Sequence, residues 1–237
     1  MKLDKVGQSA LLKLNEIDLE ITRLTLEIKN LVNSAELVDL NNQLAQLAEP
    51  VISARTALEN LQVESKKTEE DLRLVTERLI RDRERLIHSS NTKDIAGIQS
   101  EIVSLETRKA SLEEVELAIL ENIEQAELRL SSILTDKNNL QSDITSLQNK
   151  LQIQIDDLKS QGRKLSADRQ IVVGKISADV LQKYDSLSKR GVAVGQIIDR
   201  ACSACRMNMT VGFIDSLKSL DEDEVGTCPE CQAIIIV

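Results

Sequence analysis

Between Ile95 and Leu151 apolar residues return in alternating steps of three and four. Ile95, Ile98, Ile102, Leu105, Leu112, Ile119, Ile123, Ala126, Leu130, Ile133, Leu140, Ile144, Leu147 and Leu151 carry the pattern, and only Lys109, Glu116 and Lys137 interrupt it. The intervening residues are mostly Glu, Ser, Gln, Asn and Lys. A single apolar stripe with a heptad period predicts a long helix that buries one seam against a second helix.

The N-terminal half repeats the pattern with breaks. Leu14, Ile17, Ile21, Leu24, Ile28 and Leu31 share one register; Leu37, Leu40, Leu44, Leu47 and Val51 share another. Leu58, Leu61, Leu72, Val75, Leu79 and Leu86 continue beyond Pro50. The register shift near Asn33-Ser34-Ala35 reads as an interruption of the repeat. Pro50 lacks a backbone donor and is expected to kink or break the helix. The strongest punctuation is His88-Ser89-Ser90-Asn91-Thr92, where Ser, Asn and Thr favour caps over helix interiors. Arms of similar length joined by that short segment predict an antiparallel hairpin over residues 1–185, with its turn near 88–94.

Composition removes most enzymatic classes. The 237 residues include one Tyr (Tyr184), one Phe (Phe213), no Trp and one His (His88). A compact enzyme domain of this length uses aromatics to fill its core, and most acid–base and nucleophilic sites need a positioned histidine. No phosphate-binding glycine loop and no HExxH pattern is present. The reading is a non-enzymatic protein without a small-molecule substrate. The beginning of the chain lacks a signal-type apolar run, and no stretch has the length of a membrane span, so a cytoplasmic protein with no membrane partner is expected.

All four cysteines fall in the last 36 residues, as Cys202-Ser203-Ala204-Cys205 and Cys228-Pro229-Glu230-Cys231, with 22 residues between the pairs. Two CxxC knuckles can close a tetrahedral thiolate site, which leaves no open position for water or substrate. One structural Zn2+ is the favoured ligand. Disulfides, a thioredoxin-type redox pair and a rubredoxin-like iron site are the alternatives. A segment this short needs metal binding to supply its folding energy. Strands are expected at 207–211 and 233–237. The predicted organisation is therefore mainly α: a long two-helix coiled-coil hairpin (1–185), a linker (186–201) and a small β-rich zinc ribbon (202–237).

Charge is unevenly distributed around a net of −9. Residues 1–158 hold 19 basic and 29 acidic side chains, and residues 207–237 hold one basic and six acidic. Residues 159–206 hold ten Lys or Arg against four Asp. This basic collar, with Lys183, Lys189, Arg190, Arg200 and Arg206 as its candidate contact residues, could meet an acidic protein surface or a phosphate backbone. Only Tyr184 is interleaved with it, so base stacking has little support. At the hairpin tip Arg81, Arg85, His88, Asn91 and Lys93 form a second candidate contact set. There Arg outnumbers acid, which disfavours a metal-holding tip of the kind used in transcript cleavage.

The stretch Arg85-Leu86-Ile87 to Thr92-Lys93-Asp94-Ile95 and Ile98-Gln99-Ser100-Glu101-Ile102 looks like the turn motif of a known family. Tyr184, Lys189-Arg190-Gly191-Val192-Ala193-Val194 and the two CxxC pairs are similar to that family's C-terminal signature. Along essentially its whole length the chain resembles the bacterial four-cysteine zinc-ribbon proteins with an N-terminal coiled-coil hairpin. Two departures stand out: Ser90 and Asp94 at the tip, where the family often has Gly and Glu, and Gln232-Ala233, where it usually has Gly-Arg. The resemblance implies an adaptor or chaperone-like protein that binds other proteins and, in some members, nucleic acid; the layout of this chain adds the expectation of a scaffold whose tip and ribbon each hold a partner. Nucleic-acid binding through the collar is the alternative.

Overall fold

The structure is a computed structural model and describes residues 2–236. Its helices are α1 (Lys5–Val32), α2 (Ala35–Gln46), α3 (Ala48–His88), α4 (Thr92–Val173), α5 (Ala178–Ser188) and α6 (Val211–Lys218). The strands are β1 (Val194–Gly195), β2 (Ile197–Ile198), β3 (Ala201–Cys202), β4 (Gly226–Thr227) and β5 (Ile234–Ile235). The chain divides into two compact units, one of residues 1–34 with 148–237 and the other of residues 35–147.

In the second unit α3 and α4 form a helical hairpin. Every seam position from Ile95 to Leu147 is buried or half-buried except Lys137, so the heptad arithmetic describes the packing face closely. On α3 the seam passes through Val51, Ala54, Leu58, Leu61, Ser65, Thr68, Leu72, Val75, Leu79, Asp82 and Leu86. Ser65, Thr68 and Asp82 are buried there and fill gaps that an apolar-only reading leaves open. Near the turn Leu79, Ile98 and Ile102 form the core, with Val75, Leu86 and Leu105 packed against it. Asn91 starts α4: its Oδ1 accepts from the Lys93 amide at 3.1 Å, and its carbonyl accepts from Ile95 at 2.9 Å.

The interruption at 33–34 is real, with the Asn33 side chain closing α1 on the Lys29 carbonyl at 2.8 Å. At Pro50 the structure places the break slightly upstream. Helix α2 ends at Gln46 and α3 begins at Ala48, so Pro50 lies inside the first turn of α3. Amides of a first turn have no intrahelical acceptor, and proline loses nothing by lacking one there.

The first unit departs most from expectation. Helix α4 ends at Val173, and the separate helix α5 buries Val180, Tyr184 and Leu187, so the hairpin arm is shorter than 185 residues implies. The expected linker at 186–201 contains β1, β2 and the start of β3. Val194 and Gly195 run parallel to Ile234 and Ile235, and β4 pairs with β5 on the other side, giving the sheet order β1-β5-β4. An Ile-rich terminal strand buries both faces only as the middle strand of such a sheet, which draws the "linker" in as its neighbour. Val237 lies outside the described residues.

Of the strand expected at 207–211 only a bridge from Asn208 to Ala201 forms. Val211 instead opens α6, because Thr210 Oγ1 caps it by accepting from the Phe213 amide at 3.3 Å. Gly226 lets α6 approach the sheet, since a Cβ there would collide with Leu217 Cδ2.

The main core of this unit joins Leu3, Leu11 and Leu14 to Val180, Tyr184, Leu187, Val194, Ile234 and Ile236. The N-terminal residues are tied to the acidic loop of the ribbon: the Leu3 amide donates to the Asp223 carbonyl at 2.5 Å and Lys5 pairs with Glu222 at 2.8 Å.

Candidate metal centre

Two peptide segments of equivalent conformation carry the cysteines. After the first pair, the Arg206 amide donates to the Cys202 carbonyl at 2.7 Å and the Cys202 amide donates to the Met207 carbonyl at 3.0 Å. After the second, Gln232 donates to Cys228 at 3.0 Å and Cys228 donates to Ala233 at 2.9 Å. Arg206 and Gln232 both take left-handed backbone, with φ of 61° and 62°. Each knuckle thus closes on itself by the same pair of hydrogen bonds and the same reversed residue.

Asp199 and Arg200 also have positive φ, 49° and 66°, and make the two-residue turn of the β2–β3 hairpin that delivers Cys202. A second small core of Cys202, Met209, Leu217, Cys228 and Ile235 supports the knuckles from below, with Phe213 and Ile214 packed against it.

The four Sγ atoms all lie within 4.8 Å of one another, and Cys205 Sγ and Cys228 Sγ are 3.9 Å apart. A tetrahedral tetrathiolate site with bonds of about 2.3 Å separates its sulfurs by about 3.8 Å, so the donor set fits such an ion with little contraction. Cys202 and Cys228 are buried, Cys205 is half-buried and Cys231 is exposed.

Burial pushes the Cys202 thiol above the ordinary range. It pushes Cys231 up to about 12. At Cys228 burial also acts upward, but the backbone amides of Cys231 and Glu230 and the neighbouring thiols outweigh it, and the net direction is down. Amides aimed at sulfur favour thiolate, the form that binds metal.

A family model described as the CT398-like coiled coil hairpin domain matches residues 14–192. The chain belongs to this family. The match ends before the first cysteine, so membership follows from the helices and the approach to the ribbon. Among solved structures, a Mycobacterium smegmatis protein is 30% identical, covers 99% of both chains and superposes with a TM-score of 0.83. CT398 from Chlamydia trachomatis, at 17% identity and a TM-score of 0.64 over 97% of this chain and 96% of its own, shares the fold. An uncharacterized protein of Mycobacterium tuberculosis is 26% identical over 238 residues, covering 100% of this chain and 97% of its own.

The remaining candidates scatter over several elements. Lys183 Nζ reaches Thr227 Oγ1 at 3.4 Å, a weak contact between α5 and β4. Lys189 and Arg190 are exposed just after α5, Arg200 sits in the β2–β3 turn, and Arg206 follows the first knuckle. One collar cation is committed elsewhere: Arg169 donates to both carboxylate oxygens of Asp18, at 2.7 and 3.1 Å.

Tyr184 Oη donates to the same carboxylate at 2.9 Å, and burial together with that bond raises its hydroxyl above the ordinary tyrosine range. This Asp18–Arg169–Tyr184 cluster pins α1, α4 and α5 together. Asp18 and Arg169 lie 151 residues apart, and no local signal announces their pairing.

At the tip, Arg81, Arg85 and His88 line an open groove of about 560 Å3 with Glu84, Ser89, Asp94 and Ile98. Asn91 is occupied as a cap, and Lys93 is exposed outside that lining. Among the described residues no helix is long and apolar enough to cross a membrane.

Proposed function

We propose that the protein is a non-enzymatic adaptor or chaperone-like scaffold of the cytoplasm, which holds protein partners at its hairpin tip and at a ribbon organised by one structural Zn2+. The convergence of four thiols from two matching knuckles carries this reading, because four protein donors leave an ion no place for a substrate. Zinc would fix the loops that present Ser203, Pro229 and Glu230, all exposed beside the cysteines. The open polar groove at the tip supports a second contact surface remote in sequence from the first.

Metal content after purification under reducing conditions tests the ion: about one zinc per chain is expected, and a value far below that removes it. Capture from nuclease-treated native lysate with the full chain, compared with a chain altered at Arg81, Arg85 and His88, tests the tip. Loss of specific proteins from the altered chain is expected, and identical capture rejects a tip role.

Nucleic-acid binding through the collar is the second reading, favoured by Arg200 and Arg206 standing exposed in reversed turns beside the cysteines. It predicts that alanine at Lys183, Lys189, Arg190 and Arg200 weakens binding and flattens its salt dependence. Binding untouched by these changes counts against it.

A further inference from the structure

Two interhelical ion pairs flank the α3–α4 seam: Arg78 with Glu101, and Arg83 with Glu106 at 2.6 Å. Helical spacing assigns each remaining outer residue to one flank or the other. With Arg78 and Glu101 go Arg81, Arg85, Asp94 and Arg108, a charged flank that includes the tip groove. With Arg83 and Glu106 go Arg73, Ile80 and Ile87 on α3, and Ala96, Gln99, Val103, Ala110, Glu113 and Leu117 on α4, so the aliphatic members gather on the turn side of Arg73 and Glu113.

Around its ion pair the second flank exposes aliphatic side chains to solvent: Ile80 is 53% exposed, Ile87 78%, Val103 62% and Leu117 63%. The sevenfold spacing 80–87 and 96–103–110–117 makes it a second helix-packing stripe, separate from the buried seam. Its small residues, Ala96 and Ala110, permit close approach. Solvent-facing aliphatics aligned at heptad spacing offer a packing face to a further helix.

The charges name that neighbour. The ion pair at the centre of the stripe has its cation on α3 and its anion on α4. A two-fold axis parallel to the helices lays α3 of one copy on α4 of another. It then sets Ile80 against Val103 and Ile87 against Ala96 of the second copy, and each Arg83 meets both its own Glu106 and that of the second copy. The contact is isologous and closes at two chains.

We propose that a second copy of this chain covers the Ile80–Ile87–Val103 flank, with Arg83 and Glu106 exchanging across the two-fold. The tip groove lies on the opposite flank and stays free, so this dimer does not depend on the adaptor reading and does not compete with it.

Sedimentation of the zinc-loaded full chain across the micromolar range tests the proposal through charge reversal. Arg83→Glu gives a chain with two acids at the contact, and Glu106→Arg gives one with two cations. Each alone is expected to dimerise at least about tenfold more weakly than wild type, while circular dichroism shows unchanged helix content. An equimolar mixture is expected to recover association. Only between the two variants does the acid introduced at position 83 of one chain face the cation introduced at position 106 of the other. Val103→Glu is expected to abolish association in every combination.

A wild-type chain that stays monomeric throughout overturns the proposal and leaves the flank to a different helical protein. Single reversals that dimerise normally, or a mixture that stays monomeric, overturn it too.

Discussion

Asp82 is the most informative single position in the hairpin. It is 4% exposed on an apolar seam, and its Oδ2 has no hydrogen-bond partner. Oδ1 receives only a long contact from Arg85 Nη1 at 3.4 Å, and Arg78 Nε stands 3.8 Å from Oδ2. A buried acceptor without a partner costs about 1–3 kcal/mol, and a leucine buried at the same place gains about 1.5–3 kcal/mol. Allowing for imperfect fit and for the lost arginine contacts, Asp82→Leu is expected to stabilise the turn end of the hairpin by about 2–4 kcal/mol.

Because two units need not unfold together, native-state amide exchange is the suitable assay. Protection over residues 79–105 is expected to rise by about 30-fold to several-hundred-fold, while the ribbon amides are unchanged. Arg85→Ala is expected to lower protection in the wild type and to do nothing in the leucine variant, which closes a double-mutant cycle. Unchanged or reduced protection in Asp82→Leu would mean that the two arginines already compensate the carboxylate fully.

Chelation of the proposed zinc is expected to unfold the ribbon while leaving α3 and α4 helical. Tyr184, the single tyrosine in a chain without tryptophan, reports this by fluorescence, and helix loss equal to the ribbon change would contradict it. Gln232→Gly relieves a side chain held at φ 62° and is expected to stabilise the ribbon by about 1 kcal/mol, seen as slower metal loss to a competing chelator. Tyr184→Phe removes a charge-assisted bond to Asp18 and should lower the stability of the first unit by about 1–2 kcal/mol in urea melts. Alkaline titration of Tyr184, followed by ultraviolet absorbance, is expected to reach its midpoint well above the ordinary value of 10.0. The sign follows from the raised value: the stabilisation is complete below that ordinary value and is lost as pH rises through the higher folded one. A midpoint at the ordinary tyrosine value in the folded protein would show that the hydroxyl is not held by Asp18.

Much of the hairpin was legible because a seam is a one-dimensional object. Ile95 to Leu147 needed only a period, and the same period placed Lys109 and Glu116 as half-buried members despite their charge. The cysteine pairs were legible for a related reason, since a CxxC knuckle is local and its two thiols converge by backbone geometry. What escaped was non-local or unfavourable by local rules. Val194-Gly195 is too short to signal a strand, and only the arrival of Ile234-Ile235 makes it one. Met207 to Val211 has strand-forming residues, but the Thr210 cap starts a helix there instead.

A two-helix repeat with a turn near residue 90 and two cysteine pairs in the last 36 residues follow from residue order alone, because both rest on spacing along a single chain. The folded chain was needed to see that α1 and α5 close over the ribbon through Leu11, Leu14, Tyr184 and Val194, and that Asp18 draws Arg169 out of the basic collar. It also decided that Ile80, Ile87 and Val103 stand exposed around the Arg83–Glu106 pair on one flank of the hairpin, while the tip groove opens on the other. These outcomes depend on which distant surfaces meet, and burial and ion pairing are properties of the meeting rather than of either segment alone.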